Sequence, residues 1–153
     1  MLRISRLTDY GTVVLARLAH DGGALASASE VAAATGIGLP TVSKLLKSLG
    51  KAGIVTATRG SHGGYKLARD AREISAADVI DALEGPVSIT ECSADEGNCN
   101  LAAVCGVRNA WQRINIAIRR ALDEVSLADL LRTGSPVPGF RFAGLPINVE
   151  PKS

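Results

Sequence analysis

The three cysteines of this 153-residue chain lie within one short stretch, where clustered thiols can bind metal or exchange electrons. Cys92, Cys99 and Cys105 are separated by six and by five residues. These intervals are wider than the short knuckles that build most structural zinc sites. Thiolates spaced this widely in a glycine-bearing loop can surround a larger object, so an iron–sulfur cluster is the leading interpretation.

Two other interpretations of the cysteines remain open on spacing alone. Three cysteines and one further ligand can hold Zn²⁺, and three thiols can also form one disulfide with one thiol spare, as in a redox sensor. Buried, inert cysteines are the least favoured interpretation because the stretch is polar. Its polar residues include Asp95, Glu96, Asn98 and Asn100.

Several classes of protein are disfavoured by what the sequence lacks. The first residues are charged and have no apolar core of a signal peptide, and no run of about 18 apolar residues predicts a membrane span. We therefore expect a cytoplasmic protein with no membrane partner. The sequence has no nucleotide-binding loop, Cys–His pair at suggestive spacing or paired catalytic carboxylates, so we expect neither an enzyme nor a small-molecule substrate.

Charge is distributed unevenly along the chain. Residues 1–72 hold ten lysines and arginines against four acidic residues, whereas residues 73–153 hold seven against eleven. A basic first half and an acidic second half suggest that the first half meets a polyanion.

Three segments predict short helices because each has a serine N-cap, an acidic residue three positions later and a terminating glycine. The serines are Ser27, Ser75 and Ser126, the acidic residues are Glu30, Asp78 and Asp129, and the glycines are Gly36, Gly85 and Gly134. A longer amphipathic helix, with the sequence RLTDYGTVVLARLAH, is predicted ahead of them.

A further helix is predicted after Pro40, which suits a first helical turn. Its inner face consists of Val42, Leu45, Leu46 and Leu49. Its outer face consists of Thr41, Ser43, Lys44, Lys47 and Ser48. The outer residues are short, polar or cationic, which is typical of a helix that lies in the major groove of DNA.

The period then changes to that of β-strands, in IVTATR and in YKLA, which are joined by a glycine-rich tip. Arg59 stands at the entry of this hairpin, with Ser61 and His62 in its tip. Arginine there can contact phosphates or a narrow groove. The order of elements predicts a mainly α fold with a small β-hairpin wing, that is, a winged helix-turn-helix.

Apolar residues recur every three or four positions in the helix predicted beyond the cysteines, from Val107 to Val125. This narrow seam favours pairing of two copies, which suits a two-fold-symmetric DNA site. We predict a DNA-binding winged helix-turn-helix domain over residues 1–85. A cysteine segment follows over residues 86–106, then a dimerisation helix and short C-terminal helix over 107–134, and a flexible tail over 135–153.

Taken together, these features resemble the Rrf2 family of winged-helix regulators, whose members include the iron–sulfur regulators IscR and NsrR. The resemblance covers about residues 3–132 and is carried by several stretches. They are LTDYG, TVSKLLKSLGKAGIV, TRGSHGGYKLA, SAADVIDALEG, the three spaced cysteines and SLADLL. The wing and the cysteine spacing look most similar to regulators of the SUF cluster-assembly operon.

The resemblance implies a homodimer that binds a near-palindromic operator in double-stranded DNA. It implies a cluster, either 2Fe-2S or 4Fe-4S, on Cys92, Cys99 and Cys105. It also implies that four helix residues face the major groove and three residues belong to the wing. These are Thr41, Ser43, Lys44 and Lys47 on the helix, and Arg59, Ser61 and His62 in the wing.

The fourth cluster ligand is the point at which this chain departs from IscR-like members. They have a histidine just after the third cysteine, whereas Arg108 and no histidine occurs here. NsrR-like members use an aspartate of the TDYG motif from the opposite subunit, which corresponds to Asp9. A role of Asp9 in stabilising the helix dipole is an equal alternative. The local alternative ligands are Glu91, Asp95 and Glu96, besides solvent or a small thiol.

The resulting hypothesis is a repressor that binds an iron–sulfur cluster and controls SUF-type cluster assembly genes in response to cluster supply or oxidative stress. One alternative is a nitric oxide or thiol redox-sensing repressor of the same fold. An alternative of another class is a small iron–sulfur electron-transfer protein. The glycine-tipped hairpin argues against an electron carrier, which has no use for it.

Overall fold

The computed structural model describes residues 4–90, 106–132, 140–142 and 145–147, so all three cysteines lie outside the described residues. The helices are α1 (Arg6–His20), α2 (Ala28–Thr35), α3 (Leu39–Lys51), α4 (Ala76–Glu84), α5 (Arg108–Asp123) and α6 (Leu127–Leu131). The strands are β1 (Val55–Thr58), β2 (Gly64–Leu67), β3 (Phe140–Phe142) and β4 (Leu145–Ile147). This mainly helical chain with a two-stranded hairpin has the predicted fold class.

The three predicted capping boxes are confirmed. Ser27, Ser75 and Ser126 each accept a hydrogen bond from the backbone N–H three residues later, and the acidic side chain there accepts one from the serine N–H. Helix α6 nevertheless ends at Leu131, because the next residue already adopts extended backbone. The prediction that Gly134 terminates this helix is therefore wrong.

The core is aliphatic, as the low aromatic content requires. The side chains that are almost fully buried are Val14, Leu15, Leu18, Val31, Val42, Leu45, Leu46, Leu49, Ile54, Ile74, Val79 and Leu127. Burying such a side chain contributes about 1.5–3 kcal/mol relative to leaving it exposed. Ten of these twelve residues come from α1, α2, α3, α4 and α6, and Ile54 and Ile74 lie just before β1 and α4, so the helices close around one interior.

Helix α6 packs against the domain formed by residues 4–85, which is called the head below. The N–H of Ala76 donates to the carbonyl of Val125 at 2.8 Å, and the N–H of Leu127 donates to Ile74 at 2.7 Å. Leu127 is fully buried in the core of the head. The C-terminal end of α5 is therefore fixed to the head by both backbone bonds and packing.

The predicted hairpin forms between β1 and β2, with Val55 opposite Leu67 and Thr58 opposite Gly64. It is joined to the link between α1 and α2, since Ala26 and Tyr65 exchange backbone hydrogen bonds of 3.0 and 2.8 Å. Gly64 permits this approach, because a Cβ there would lie 2.8 Å from the carbonyl oxygen of Ala26. The hairpin is thus held against the head along one edge.

The C-terminal residues contain regular structure that the sequence analysis did not predict. Strands β3 and β4 pair antiparallel, with Phe140 opposite Ile147 and Phe142 opposite Leu145. The sequence pattern predicted no strand in this tail, yet β3 and β4 occupy six of its residues; the flexibility of the tail stays a prediction. Two short runs of strand-favouring residues separated by two positions suffice for a hairpin, and the prolines around them obscured the pattern.

Candidate functional site

Helix α3 is positioned by one fully buried face. Val42, Leu45, Leu46 and Leu49 have no exposed surface, as their spacing predicts. The helix begins with Gly38 as N-cap and Pro40 in its first turn. Because the buried face leaves no rotational freedom about the helix axis, the opposite face is presented in one fixed orientation.

The outer face of α3 largely agrees with the prediction. Ser43, Lys44 and Lys47 are exposed, whereas Thr41 and Ser48 are half-buried. At 3.6 residues per turn, the last two fall on the border between the buried and exposed faces. Ser43, Lys44 and Lys47 are therefore more accessible to a DNA duplex than Thr41 is.

A third lysine extends this face and was missed from the sequence. Lys51 is exposed in the last turn of α3, and with Lys44 and Lys47 it forms a row at spacings of three and four. None of the three lysines forms an ion pair with a described residue. The spacing of three and four residues was the sequence signal that places Lys51 on this face.

The wing begins directly after α3, since the N–H of Ile54 donates to the carbonyl of Leu49 at 3.0 Å. Arg59, Ser61 and His62 are all exposed in the tip between β1 and β2. The tip is closed by a 3.0 Å hydrogen bond from the N–H of Gly63 to the carbonyl of Gly60. The structure thus brings the predicted wing residues together beside the predicted recognition helix.

The TDYG motif at the start of α1 serves two purposes. Thr8 is buried, and Gly11 packs so closely on α4 that a Cβ would overlap Leu83. Asp9 and Tyr10 are exposed, and the Asp9 carboxylate forms no hydrogen bond or ion pair with a described residue. Two residues of the motif therefore fasten the helix, while Asp9 remains available to a group outside the described residues.

Glu84, at the end of α4, fastens the first turn of α1. Its Oε1 accepts the N–H of Ser5 at 3.0 Å and also accepts the Thr8 hydroxyl. These hydrogen bonds from Thr8 and Ser5 hold the pKa of Glu84 below its ordinary value of 4.5. The first turn of α1, including Thr8 of the TDYG motif, is thus tied to the end of α4.

The described residues on either side of the cysteines are both connected to α5. The N–H of Ile89, three residues before Cys92, donates to Oδ1 of Asn115 at 3.3 Å. At its other end the segment runs into α5 at Arg108. No group of three or more metal-ligating side chains occurs among the residues that the structure describes. The three cysteines and the local alternatives Glu91, Asp95 and Glu96 all lie among residues 91–105, outside the described residues.

Helix α5 is joined to the head through α4 and presents its seam outward. Arg119 forms a bidentate pair with Asp81 of α4, at 2.9 and 2.6 Å. The exposed fractions of Val107, Trp111 and Ile114 are 57%, 42% and 45%. The seam predicted from the spacing therefore lies mostly on the exposed surface of the described chain, where it can meet a second copy.

Comparison with models of known protein families identifies the family to which this architecture belongs. A family model described as an iron-dependent transcriptional regulator, Rrf2, matches residues 4–133. The chain belongs to the Rrf2 family. The resemblance carried by the TDYG motif, the third helix with its wing, the spaced cysteines and the segments SAADVIDALEG and SLADLL is therefore confirmed at the level of the family. Rrf2 members are transcriptional regulators and not enzymes.

Similar proteins come from several bacteria. The chain is 36% identical over 138 residues to the protein rrf2 of Nitratidesulfovibrio vulgaris strain Hildenborough, which covers 90% of this chain and 92% of that protein. The solved structure of CymR, described as the global cysteine regulator of B. subtilis, is 33% identical with a TM-score of 0.65, covering 86% and 97% of the two chains. T. potens IscR is 30% identical with a TM-score of 0.61, covering 85% and 86%.

Membership of the Rrf2 family distinguishes between two of the functions predicted from the sequence. Because members of the family are regulators of transcription, it favours the regulator over the electron-transfer protein. Both CymR and IscR are among the Rrf2 neighbours, so the fold alone leaves the chemistry of the cysteines open. Within the described residues, no helix is both long and apolar enough to span a membrane.

Proposed function

We propose that this chain is a cytoplasmic, homodimeric repressor that binds a near-palindromic DNA site and carries an iron–sulfur cluster on its three cysteines. The proposal assigns it control of SUF-type cluster assembly genes, in response to cluster supply or oxidative stress. Family membership supports the regulator, and the details rest on the residues of this chain.

The observation that supports DNA binding best is the division of α3 into two faces. Four side chains anchor one face in the core, and the opposite face presents Ser43 with three lysines that have no ion-pair partner among the described residues. Such cations neutralise phosphates, and short polar side chains contact base edges. Thr41, Arg59, Ser61 and His62 complete the proposed interface at its border and in the wing.

The exposed seam of α5 supports the homodimer. Large apolar side chains that would remain in water are buried when two such helices pack together, which is favourable by about 25 cal/mol per Å² of apolar surface. Two heads held by one pair of helices would read two half-sites of opposite orientation, which explains why the operator is proposed to be near-palindromic.

Replacing Arg59 with alanine is expected to weaken binding to a duplex selected from a random library at every salt concentration. If Arg59 contacts a phosphate, the slope of log K against log [salt] should fall by about 1. Arg72→Ala is the matched control, since Arg72 is an exposed arginine outside the wing. Equal slopes for both variants would count against a wing that contacts DNA.

Residues of the right chemistry are present for an iron–sulfur cluster. Cys92, Cys99 and Cys105 supply three thiolates, and Asp9 supplies an exposed carboxylate with no partner among the described residues. A cluster with one oxygen ligand would supply a centre that is labile and open to oxidants.

Two contacts connect the cysteine segment to the rest of the protein. Ile89 is hydrogen-bonded to Asn115 of α5, and Arg119 of α5 is paired with Asp81 of the head. Rearrangement of the segment therefore acts on the relative position of two heads.

Replacing Asp9 with alanine is expected to shorten the lifetime of the cluster in air while the fold stays intact. The side chain is exposed and the motif is held by Thr8 and Gly11, so the cost to stability is limited to roughly 0.3–1 kcal/mol from the helix dipole. The decay of visible absorbance after exposure to air measures this effect. Glu73→Ala removes another exposed carboxylate as a control, and equal lifetimes in the two variants would exclude Asp9 as a ligand.

A second candidate function is a thiol redox-sensing repressor. It is favoured by the similarity to CymR of Staphylococcus aureus, one solved structure of which is described as an oxidized form. In that case anaerobically isolated protein contains no iron, and a thiol oxidant alone changes its affinity for DNA. A nitric oxide sensor is the same-fold alternative that the TDYG motif supports, and exposure of the cluster-loaded protein to nitric oxide distinguishes it.

A further inference from the structure

Two apolar residues begin the helix that we propose reads DNA. Leu39 is the first residue of α3 and is 44% exposed, and Pro40 beside it is exposed as well. Leu39 belongs neither to the buried core nor to the partly buried residues packed against it. Its apolar surface is therefore not explained by the fold.

The position of Leu39 on the helix indicates what covers it. Leu39, Ser43 and Lys47 are spaced by four residues, so they lie along one ridge of α3. The two polar members of this ridge are exposed on the face proposed to meet DNA. In helix-turn-helix proteins the N-terminal residues of this helix contact the base edges. A duplex that reaches Ser43 and Lys47 therefore also reaches Leu39.

We propose that Leu39, with Pro40 beside it, is a specificity-determining residue that reads a pyrimidine C5-methyl group in the major groove, and that its natural source is thymine. Leucine and proline side chains neither donate nor accept hydrogen bonds. The only apolar group that the four bases present in the major groove is the methyl group of thymine. This inference rests on the proposed DNA-binding function and adds the chemical group recognised by the first turn of α3.

The test uses the full chain and duplexes selected by it from a random library. In the selected duplex each thymine is replaced in turn by deoxyuridine, which lacks only the methyl group. Removing one buried methyl group should weaken binding roughly fourfold. We expect this loss at one thymine in each half-site. At that position a duplex with 5-methylcytosine paired with guanine should bind more tightly, by the same factor, than a duplex with unmethylated cytosine.

Two variants test whether Leu39 is the residue that causes the preference for thymine over deoxyuridine. In Leu39→Ala the duplexes with thymine and with deoxyuridine should bind equally, because the partner of the methyl group is gone. Leu25→Ala is the matched control, since Leu25 is also an exposed leucine, at 38%, but lies outside α3. This variant should retain the fourfold difference.

Two outcomes would overturn the inference and one would overturn the function beneath it. Wild-type protein that binds every deoxyuridine duplex as tightly as thymine DNA contradicts the methyl contact. A difference that persists in Leu39→Ala assigns the contact to another residue. If the protein enriches no duplex from the library in any condition, DNA binding itself is refuted, which is a distinguishable result.

Discussion

Replacing Gly63 with alanine is expected to weaken binding of the selected duplex by roughly tenfold or more. A Cβ at this position would overlap the carbonyl oxygen of Thr58 and lie 2.9 Å from the carbonyl carbon of Arg59. Both atoms belong to the backbone, so the tip of the hairpin has to open. The opened tip no longer holds Arg59 and His62 in place, and their contacts with DNA are lost together.

The folded head should largely survive this change because residues 59–62 of the tip are exposed and none of them belongs to the core. We expect a loss of stability of about 1–3 kcal/mol, measured by denaturant unfolding, with unchanged helical circular dichroism. Gly22→Ala is the control, since Gly22 has a φ of +61° and no atom within 4 Å of an added Cβ. It should lose roughly 1 kcal/mol of stability while binding DNA normally. If Gly63→Ala binds as tightly as wild type, the wing does not contact DNA.

Replacing Cys99 with serine is expected to abolish the cluster. A serine hydroxyl is a far poorer iron ligand than a thiolate, and the two remaining cysteines cannot hold the group alone. Protein purified without oxygen should be colourless and should contain neither iron nor sulfide above background. Absorption between the near-ultraviolet and the visible, together with iron and sulfide analysis, measures this loss.

The control for Cys99→Ser is Asn98→Ser, which introduces the same residue into the same segment without removing a thiol. This variant should keep the colour of wild type. A brown Cys99→Ser protein would show that this thiol is not a ligand. A colourless wild type with an oxidant-dependent affinity for DNA would instead favour the thiol sensor.

The sequence was sufficient to predict the helices and the hairpin because their signals are local. Serine caps, stopping glycines and the four buried positions of α3 all lie within a few residues of the element they define. The seam of α5 was also predicted, since a repeat of three and four residues fixes which side chains share a face. The exposure of Thr41 was overestimated, because a border position depends on how the neighbouring helices pack.

The contacts that join distant parts of the chain could not be predicted. Glu84 accepts the hydroxyl of Thr8, and Leu83 packs on Gly11, although more than 70 residues separate the partners. The TDYG motif was therefore interpreted only through Asp9, whereas half of it fastens α1 to α4. Likewise, the burial of Leu127 depends on packing of α6 against residues more than 40 positions earlier in the chain, which no local pattern specifies.

The measurement that tests the central claim most directly compares DNA affinity in two states of one preparation. Protein isolated without oxygen is assayed for iron and sulfide and for binding to the selected duplex, then assayed again after its iron has been removed by air and a chelator. We predict stoichiometric iron and sulfide at first, and an affinity that differs at least about tenfold between the two states, a change of roughly 1.4 kcal/mol. Iron-free protein with the same affinity before and after treatment would contradict the proposal.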